Sequence, residues 1–284
     1  MLRSVAGSEK RQFHTGLALF LCLLAGACTG EAPGPATDSL VAPASDRDCW
    51  ADPAGLERRA VKAVIDGDTL RLAGGDSLRL VGVNTPEIGR DGRPDEPLAR
   101  EAREALERLL GPAMAVWLRA SQQQRDRYSR LLAYAYNEDG DSLSAGLIGQ
   151  GLGLHVAIAP NLSLADCLEN REQAARTQGR GLWGTTYSEP LAVADLAVGE
   201  GGFQWIRDRV TRVSFKDNGW WVQLGGRLGL KIAGQAQANF SAEQLRSLQG
   251  RWVETRGWVI PMKGGWWMMK VDHPSMLRPQ GSDG

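Results

Sequence analysis

Residues 64–72, "VIDGDTLRL", combine a turn signal with two acidic side chains. An Asp-Gly pair between alternating apolar residues is the strongest short-range signal for a β-hairpin. Asp66 and Asp68 are also candidate ligands for a hard cation, which prefers carboxylate oxygens. Residues two apart on a strand share a face, so Asp68 can lie at the foot of the hairpin and still point into a cleft. The stretch alone predicts a hairpin and leaves open whether its two carboxylates are also a metal site.

Short strand patterns precede helical ones in the first half of the chain. The runs "AVKAVIDGDTLRL" and "SLRLVGV" alternate, "EPLAREAREALERLL" has a helical period, and "AVWLRA" and "RLLAYAYNED" alternate again. Further helices are predicted over residues 143–151 and 165–177. Strands followed by helices are typical of an α+β fold, here with a small β-barrel. We expect this domain to span residues 56–187.

A break rich in Pro and Gly, predicted as a linker over residues 188–202, separates a second set of short strands. The strands are "RVTRVSF", "GWWVQLGG", "GLKIAG", "RWVETRGWVI" and "GWWMMKVDH", with the helix "SAEQLRSL" after the third. This order predicts a small OB-like barrel over residues 203–277, followed by a tail at 278–284.

Seven of the ten tryptophans follow Gly202, and four of them form adjacent pairs. Neighbours on a strand point to opposite faces, so one member of each pair belongs to the core. The outer member is available for stacking on nucleic-acid bases or for contact with the first domain.

The N-terminus is typical of an export signal. Arg3, Lys10 and Arg11 precede the apolar run "LALFLCLLAGA", which is too short to span a bilayer. The string "LAGAC" resembles a bacterial lipobox, so we predict a signal peptide over residues 1–28 with Cys28 as the lipidated residue. Residues 29–55 are predicted as a flexible tether. We expect a cell-envelope lipoprotein facing the periplasm or the outside; the alternative is a soluble periplasmic or secreted protein.

The cysteine count supports a disulfide. Signal removal takes away Cys22, and lipidation uses Cys28, which leaves Cys49 and Cys167 as an even pair. In an oxidising compartment a disulfide between them is the expected state.

Composition excludes several chemistries. The 33 basic residues balance the 33 acidic ones, so nucleic-acid binding would depend on local arginine clusters. His155 and His273 remain after signal removal but fall in different predicted domains, which argues against a paired-histidine ribonuclease mechanism. No Cys/His cluster has zinc spacing, and no nucleophile elbow or P-loop occurs. Carboxylates and arginines are the remaining candidates.

These candidates follow one another in the first domain: Asp66, Asp68, Arg79, the segment "NTPE" at 84–87, and Arg130. Carboxylate and amide oxygens suit calcium, and guanidinium groups bind phosphate oxygens in pairs. Phosphodiester cleavage needs both, together with a carboxylate that positions or deprotonates water. The set matches that reaction.

The segments "VIDGDTLRL", "LRLVGVNTPE", "DRYSRLLAYAY" and "GLIGQGL" resemble, in this order, the thermonuclease (staphylococcal nuclease) family over residues 61–183. The resemblance implies an OB-type five-stranded barrel with three helices. It also implies calcium-dependent endonucleolytic hydrolysis of DNA and RNA that leaves 3′-phosphates. Nucleic acid is thus the expected partner, with the membrane reached through Cys28; no protein partner is inferred, and the oligomeric state stays open.

By position, the resemblance implies that Asp68 is a calcium ligand, with Asp66 close by as a water-mediated ligand. Thr85 matches a residue that coordinates calcium through its backbone carbonyl, and Asn84 stands at the position of a second ligand. Arg79 and Arg130 match the two phosphate-binding arginines, Glu87 the general base, and Tyr128 an aromatic residue near the nucleotide phosphate.

Three departures from the family pattern bear on activity. Asn84 replaces an acidic ligand, and calcium affinity follows the ligand charge. Ser129 replaces a common glycine, and the segment "VAIAP" lacks base-stacking tyrosines, a loss of about 1–3 kcal/mol for each stack. The rival hypotheses are a non-catalytic nucleic-acid-binding envelope lipoprotein with the same fold, which Asn84 favours, and a structural envelope lipoprotein, which leaves the Asp, Arg and Glu set unexplained.

Overall fold

The structure, a computed structural model, describes residues 49–185, 189–199 and 201–280. The predicted signal peptide, the lipidation site at Cys28 and most of the predicted tether lie outside the described residues. Among the helices in the described ranges, none is both long and apolar enough to cross a bilayer.

Five strands close the first barrel: β1 (Glu57–Val64), β2 (Thr69–Leu72), β3 (Ser77–Leu80), β5 (Ala115–Arg125) and β6 (Leu131–Tyr136). Their order around the barrel is β1-β2-β3-β6-β5, and β3 and β6 run parallel. The alternation predicted from the sequence places Leu70, Leu72 and Leu78 in the core with no exposed surface. A short pair, β4 (Val83–Asn84) with β7 (Leu154–His155), lies outside the barrel.

Three helices accompany this barrel: α1 (Ala99–Leu110), α2 (Leu143–Gly149) and α3 (Ala165–Thr177). In α1 the buried residues include Ala102, Ala105 and Leu106, which recur every three or four positions and form one apolar face. The predicted OB-type barrel with helices is confirmed.

The second barrel has the same topology. Its strands are β8 (Gly202–Lys216), β9 (Gly219–Leu224), β10 (Leu228–Ala233), β11 (Trp252–Met262) and β12 (Trp266–Lys270), and the helix α4 (Ala242–Ser247) follows the third. The order is β8-β9-β10-β12-β11, β11 returns to β8, and the third and fifth strands again run parallel. The prediction of a second, OB-like barrel is confirmed.

The predicted boundaries need correction. Residues 49–55, expected in the tether, belong to the folded part: Trp50 forms a β-bridge with Asp141. In the expected linker, Leu191 pairs with Ile206 of β8. The expected tail includes β13 (Leu277–Pro279), which pairs with β11. Polar composition predicted loops at these places, but an extended segment of any composition can pair its backbone with a neighbouring strand.

The two cysteines predicted to form a disulfide lie at disulfide distance. The Cα atoms of Cys49 and Cys167 are 5.8 Å apart, and both residues are buried. The pair connects the segment before β1 to α3, and the two positions are separated by 118 in sequence.

A charged cluster joins the two halves of the chain. Glu172 of α3 has no exposed surface, and its Oε2 lies 2.5 Å from Arg256 Nη2 of β11 and 3.2 Å from Arg278 Nη2 of β13. Arg176 of α3 pairs with Glu254 of β11 at 2.5 Å. Burial and pairing make this cluster part of the interior, so the second barrel packs directly on the helical layer of the first.

Candidate active site

The Asp66-Gly67-Asp68 turn between β1 and β2 is buried. Asp68 is 2% exposed, and a Cβ atom on Gly67 would lie 2.7 Å from Ala102 Cβ and 2.7 Å from Thr85 Oγ1. Only glycine permits this close approach of α1 and Thr85 to the turn. The hairpin predicted from the Asp-Gly pair therefore forms, and it is packed beneath the rest of the site instead of facing water.

Asp68 connects three segments of the first barrel. Its Oδ2 accepts a hydrogen bond from the Thr85 backbone N–H at 2.9 Å and forms an ion pair with Arg79 Nη1 at 2.9 Å. Its Oδ1 accepts a hydrogen bond from the Thr69 hydroxyl at 3.1 Å. The carboxylate thus holds β2, β3 and the segment after β4 together.

Arg79 is buried and held by several acceptors. Besides Asp68, its Nη1 donates to the carbonyl oxygens of Leu80 at 3.1 Å and Val83 at 2.8 Å, and its Nη2 donates to Asn84 Oδ1 at 3.0 Å. These contacts fix the guanidinium group in one orientation. The structure therefore brings together Asp68, Arg79 and Asn84, as the sequence motifs predict.

Glu87 lies beside a carboxylate that the sequence patterns did not single out. The Glu87 N–H donates to Glu96 Oε2 at 2.9 Å, and the Glu96 N–H donates to the Glu87 carbonyl at 3.0 Å. Burial raises the pKa of Glu87, and the carboxylates of Asp68 and Asp66 raise this pKa further. The one sequence signal for Glu96 is its place just before α1, where acidic residues are common.

The loop before β6 holds Arg130. Asp126 Oδ1 accepts the backbone N–H groups of Tyr128 at 2.8 Å and Arg130 at 2.9 Å, and its Oδ2 accepts Arg130 Nε at 2.7 Å. Partial burial acts to raise the pKa of Asp126, but these hydrogen bonds outweigh it and lower the pKa. Tyr128 is 64% exposed, and the guanidinium groups of Arg127 and Arg130 lie 4.7 and 5.7 Å from its ring centre.

Six of the predicted site residues line one cleft of about 500 Å³: Arg79, Asn84, Thr85, Glu87, Tyr128 and Arg130. A neighbouring cavity of about 440 Å³ shares Glu87 and Arg130 and is also lined by Asp66 and Arg90. Arg90 Nη2 lies 3.6 Å from Asp66 Oδ2. Asp68 lines neither space and lies beneath their shared wall.

The oxygen atoms around the turn fit a hard cation. Burial raises the pKa of Asp66, and repulsion by the neighbouring Asp68 carboxylate raises it further. A bound cation would relieve this repulsion between the two carboxylates. In the described part of the chain no group of three or more His, Cys, Asp or Glu side chains is arranged to hold a metal. A cation here would therefore use two carboxylates together with neutral oxygens, among them the Thr85 carbonyl and the free lone pair of Asn84 Oδ1, and water, a mixture that calcium accepts.

The two histidines meet, although the sequence placed them in separate domains. His155 Nε2 lies 3.2 Å from Ser275 Oγ, and His273 Nδ1 lies 2.9 Å from the same atom. Burial is the main cause that lowers the pKa of His155 to about 3. His155 has no exposed surface and lines neither cavity, so its position, and not domain separation, keeps it from acting on a substrate.

The cleft also contains residues that the sequence patterns did not assign to it: Glu96, Arg127, Leu154, Leu182, Phe203 and Trp258. Phe203 and Trp258 belong to β8 and β11, so the second barrel forms part of the cleft wall. The concentration of tryptophans after Gly202 was the signal for this contribution, but it did not specify which ring faces the first barrel.

Comparison with known proteins agrees with this geometry. The family model described as "Staphylococcal nuclease homologue" matches residues 77–185, which include Arg79, Glu87 and Arg130 and begin after the β1–β2 hairpin. The chain is 30% identical over 123 residues to the thermonuclease of Staphylococcus hyicus, a match covering 42% of this chain and 72% of that protein.

Two further relatives cover similar lengths. The thermonuclease of Staphylococcus intermedius is 28% identical over 130 residues, 45% of this chain and 76% of that protein. The SPbeta prophage-derived endonuclease YokF of Bacillus subtilis (strain 168) is 28% identical over 123 residues, 42% of this chain and 41% of that protein. The family model ends before β8, so the second barrel lies outside it. With the fold, the cleft and these relatives in agreement, the chain belongs to the staphylococcal nuclease family.

Proposed function

We propose that the protein is an exported, calcium-dependent endonuclease that hydrolyses phosphodiester bonds of DNA and RNA. Membership of a nuclease family, with relatives named thermonuclease and endonuclease, supports the enzyme class. The observation that carries the proposal is the cleft in which two guanidinium groups, Arg79 and Arg130, lie with the carboxylate of Glu87. This combination supplies both charge stabilisation and a base.

Glu87 is the proposed general base. The raised pKa of Glu87 makes its carboxylate a stronger base. A stronger base takes a proton more readily from an attacking water molecule. Two hydrogen bonds with Glu96, one to its carboxylate and one from its backbone N–H, hold the Glu87 segment in place at the cleft.

Arg79 and Arg130 are proposed to stabilise the negative charge that builds on the phosphoryl oxygens. Each is positioned by a carboxylate: Asp68 for Arg79, and Asp126 for Arg130. Asp126 binds Arg130 through Nε, which leaves the two terminal nitrogens for a phosphate. Prepositioned charges of this kind require little rearrangement during the reaction.

Asp68, Asn84 and the Thr85 carbonyl would hold the calcium ion, with Asp66 as a water-mediated ligand. When bound, the ion would supply positive charge against the substrate phosphate and make a bound water more acidic. Tyr128, exposed beside Arg130, is proposed to contact the nucleotide near its phosphate.

Export and anchoring through Cys28 stay part of the proposal. The N-terminal pattern supports them, and so does the disulfide distance between Cys49 and Cys167, because disulfides persist in oxidising compartments.

The second candidate is a nucleic-acid-binding protein without turnover. Asn84 favours it, because this side chain brings no charge to the metal site and its amide oxygen already accepts a hydrogen bond from Arg79.

Incubation of the purified full chain with single-stranded DNA, in calcium or in chelator, separates the candidates; Glu87→Gln serves as the control for contaminating nucleases. We expect cleavage by the wild-type chain in calcium and none in chelator. Cleavage in both conditions would remove calcium from the proposal, and binding without cleavage would support the second candidate. If DNA is neither bound nor cut, both are wrong.

A further inference from the structure

An aromatic pair from the second barrel faces the nuclease cleft. Phe203 of β8 and Trp258 of β11 are paired across the two strands, and their rings meet edge to face with centres 5.1 Å apart. Both line the cleft that contains Arg79, Glu87 and Arg130. Trp258 is 39% exposed, so part of a large apolar ring faces water beside a charged site.

The position of Trp258 is set by the packing of the two barrels. Residues two apart on a strand share a face, and on this face of β11 Glu254 and Arg256 are buried against α3. Trp258 is the next residue on the same face. The buried ion pairs therefore hold β11 against α3. Two residues further along the strand, the Trp258 ring lines the cleft.

The exposed face continues beyond the cleft. Ile260 and Met262 follow Trp258 on the same face of β11, and Trp266 is the cross-strand partner of Met262 on β12. All three are exposed. The apolar surface thus extends along the strand and away from the charged site, as a path that a flexible chain could follow.

A third aromatic residue, Tyr128, also lines this cleft and is already engaged by arginines. Two guanidinium groups lie over the ring of Tyr128, and its hydroxyl accepts a hydrogen bond from Arg127 Nη2 at 2.6 Å. The Phe203–Trp258 pair therefore adds apolar ring surface to the cleft that Arg79 and Arg130 also line.

We propose that Phe203 and Trp258 form a stacking platform for unpaired bases of the substrate, while Arg79 and Arg130 hold its phosphates. Base faces are hidden in a duplex, so the platform selects single-stranded DNA or RNA, or strands that are locally unpaired. Nucleic acid presents both phosphates and bases, which matches a cleft that is lined by both guanidinium groups and aromatic rings. This inference rests on the proposed nuclease function and names its preferred substrate.

The test compares two oligomers with the same number of phosphates: oligothymidylate, and a chain of abasic sites. Their affinities for the full chain, kept in mild detergent, are measured by fluorescence anisotropy in chelator, so that cleavage does not interfere. We expect wild type to bind oligothymidylate about tenfold or more tightly than the abasic chain. Trp258→Ala should weaken oligothymidylate binding by about tenfold and leave abasic binding unchanged, and Trp258→Phe should restore most of the affinity.

Two matched controls come from other aromatic residues of the second barrel. Trp252 lies on β11, is 47% exposed and lines neither cavity, so Trp252→Ala should bind both oligomers as wild type does. Phe215 of β8 and Trp220 of β9 form a similar edge-to-face pair with ring centres 5.3 Å apart, also outside the cleft, so Trp220→Ala should have no effect on binding.

Cleavage kinetics give a second readout. With calcium and a single-stranded substrate, Trp258→Ala should raise KM about tenfold with little change in kcat, because the ring contacts a base and not the reacting phosphate. Equal wild-type affinity for the two oligomers, a comparison that needs no variant, would overturn the platform and leave the nuclease proposal intact. Equal weakening of both oligomers by Trp258→Ala would also overturn it. Failure to bind or cut any oligomer would instead overturn the proposed function.

Discussion

The two barrels share one strand order, but their first hairpins differ. In the first barrel the Asp66-Gly67-Asp68 turn is buried beneath Thr85 and α1. In the second, Asp217 and Asn218 form an exposed turn with φ angles of 50° and 55°. A buried carboxylate needs partners, and Asp68 has Arg79, Thr69 and Thr85. The shared topology is therefore only a scaffold, and the two barrels differ in whether the first turn is buried among charged and polar partners.

The third strands differ in the same way. Arg79 on β3 and Lys231 on β10 each follow a fully buried leucine. Arg79 is held among carbonyl groups and Asp68, whereas Lys231 lies 5.4 Å from the Trp221 ring on a partly exposed surface. Arg79 is thus buried among polar acceptors at the cleft, whereas Lys231 lies beside an aromatic ring and lines neither cavity.

The largest effect should separate structural arginines from catalytic ones. Arg256→Met should lower the free energy of unfolding by about 3–5 kcal/mol, because Glu172 would remain buried without its shortest ion pair. Urea denaturation of both proteins measures the loss. Arg256→Met combined with Glu172→Met should cost less than the single change, since the buried carboxylate is removed together with its closest partner. A double variant that is less stable than the single one would contradict this account.

Next, the functional division between the barrels can be tested on equivalent strands. Arg79→Ala, Glu87→Ala and Arg130→Ala should each reduce turnover by about two decades or more, roughly 3 kcal/mol of transition-state stabilisation. The Lys231→Ala variant, which lacks a cation on the third strand of the second barrel, should cut at the wild-type rate, because Lys231 lines neither cavity. Circular dichroism confirms folding. A folded variant of the first three with wild-type kcat would remove that residue from the mechanism.

At the junction of the barrels, His155 should make stability depend on pH. Its folded pKa of about 3 lies below the ordinary value of 6.5, so between these values the unfolded chain binds a proton that the folded chain does not. Acid therefore favours unfolding. From pH 7 to pH 4 wild type should lose about 2–3 kcal/mol more stability than His155→Gln, measured by urea titration at each pH. Parallel curves for the two proteins would show that His155 does not carry this dependence.

A smaller effect concerns charge at the metal site. Asn84→Asp should tighten calcium binding by about tenfold, because the new carboxylate adds a negative charge beside the turn. Calorimetry without nucleic acid measures the affinity. Asn137→Asp adds the same charge in a turn that lines neither cavity and should change calcium binding little. An equal gain in calcium affinity in both variants would show that the added charge acts through the net charge of the protein and that residue 84 does not contact the ion.

The smallest effect should come from the loop that holds Arg130. Ser129 has a φ of 62°, a left-handed conformation that favours glycine. Ser129→Gly should raise the free energy of unfolding by at most about 1 kcal/mol, because relief of strain is partly offset by greater freedom of the unfolded chain. Asn218→Gly in the second barrel should gain less, since asparagine tolerates this conformation. Thermal denaturation of both variants measures the gain in stability. A larger gain for Asn218→Gly than for Ser129→Gly would contradict the prediction.

The sequence by itself determined both barrels, the four helices and six of the residues that line the cleft. Strand alternation and helical period are local signals, and α3 was predicted with the bounds that the structure has, 165–177. Arg79, Glu87 and Arg130 were predicted from motifs, and they line one cleft because their strands are neighbours in the barrel or lead directly into it.

Tertiary structure alone decided which residues from distant parts of the chain meet. Arg256 and Glu172 are 84 residues apart in sequence, and Ser275 lies 120 residues from His155. Periodicity indicates which face of a strand is buried but not what covers it, so neither these pairs nor the approach of Phe203 and Trp258 to Arg130 could be predicted. The packing of one barrel on the other brought them together, because burial of Glu172 required the arginines that the second barrel provides.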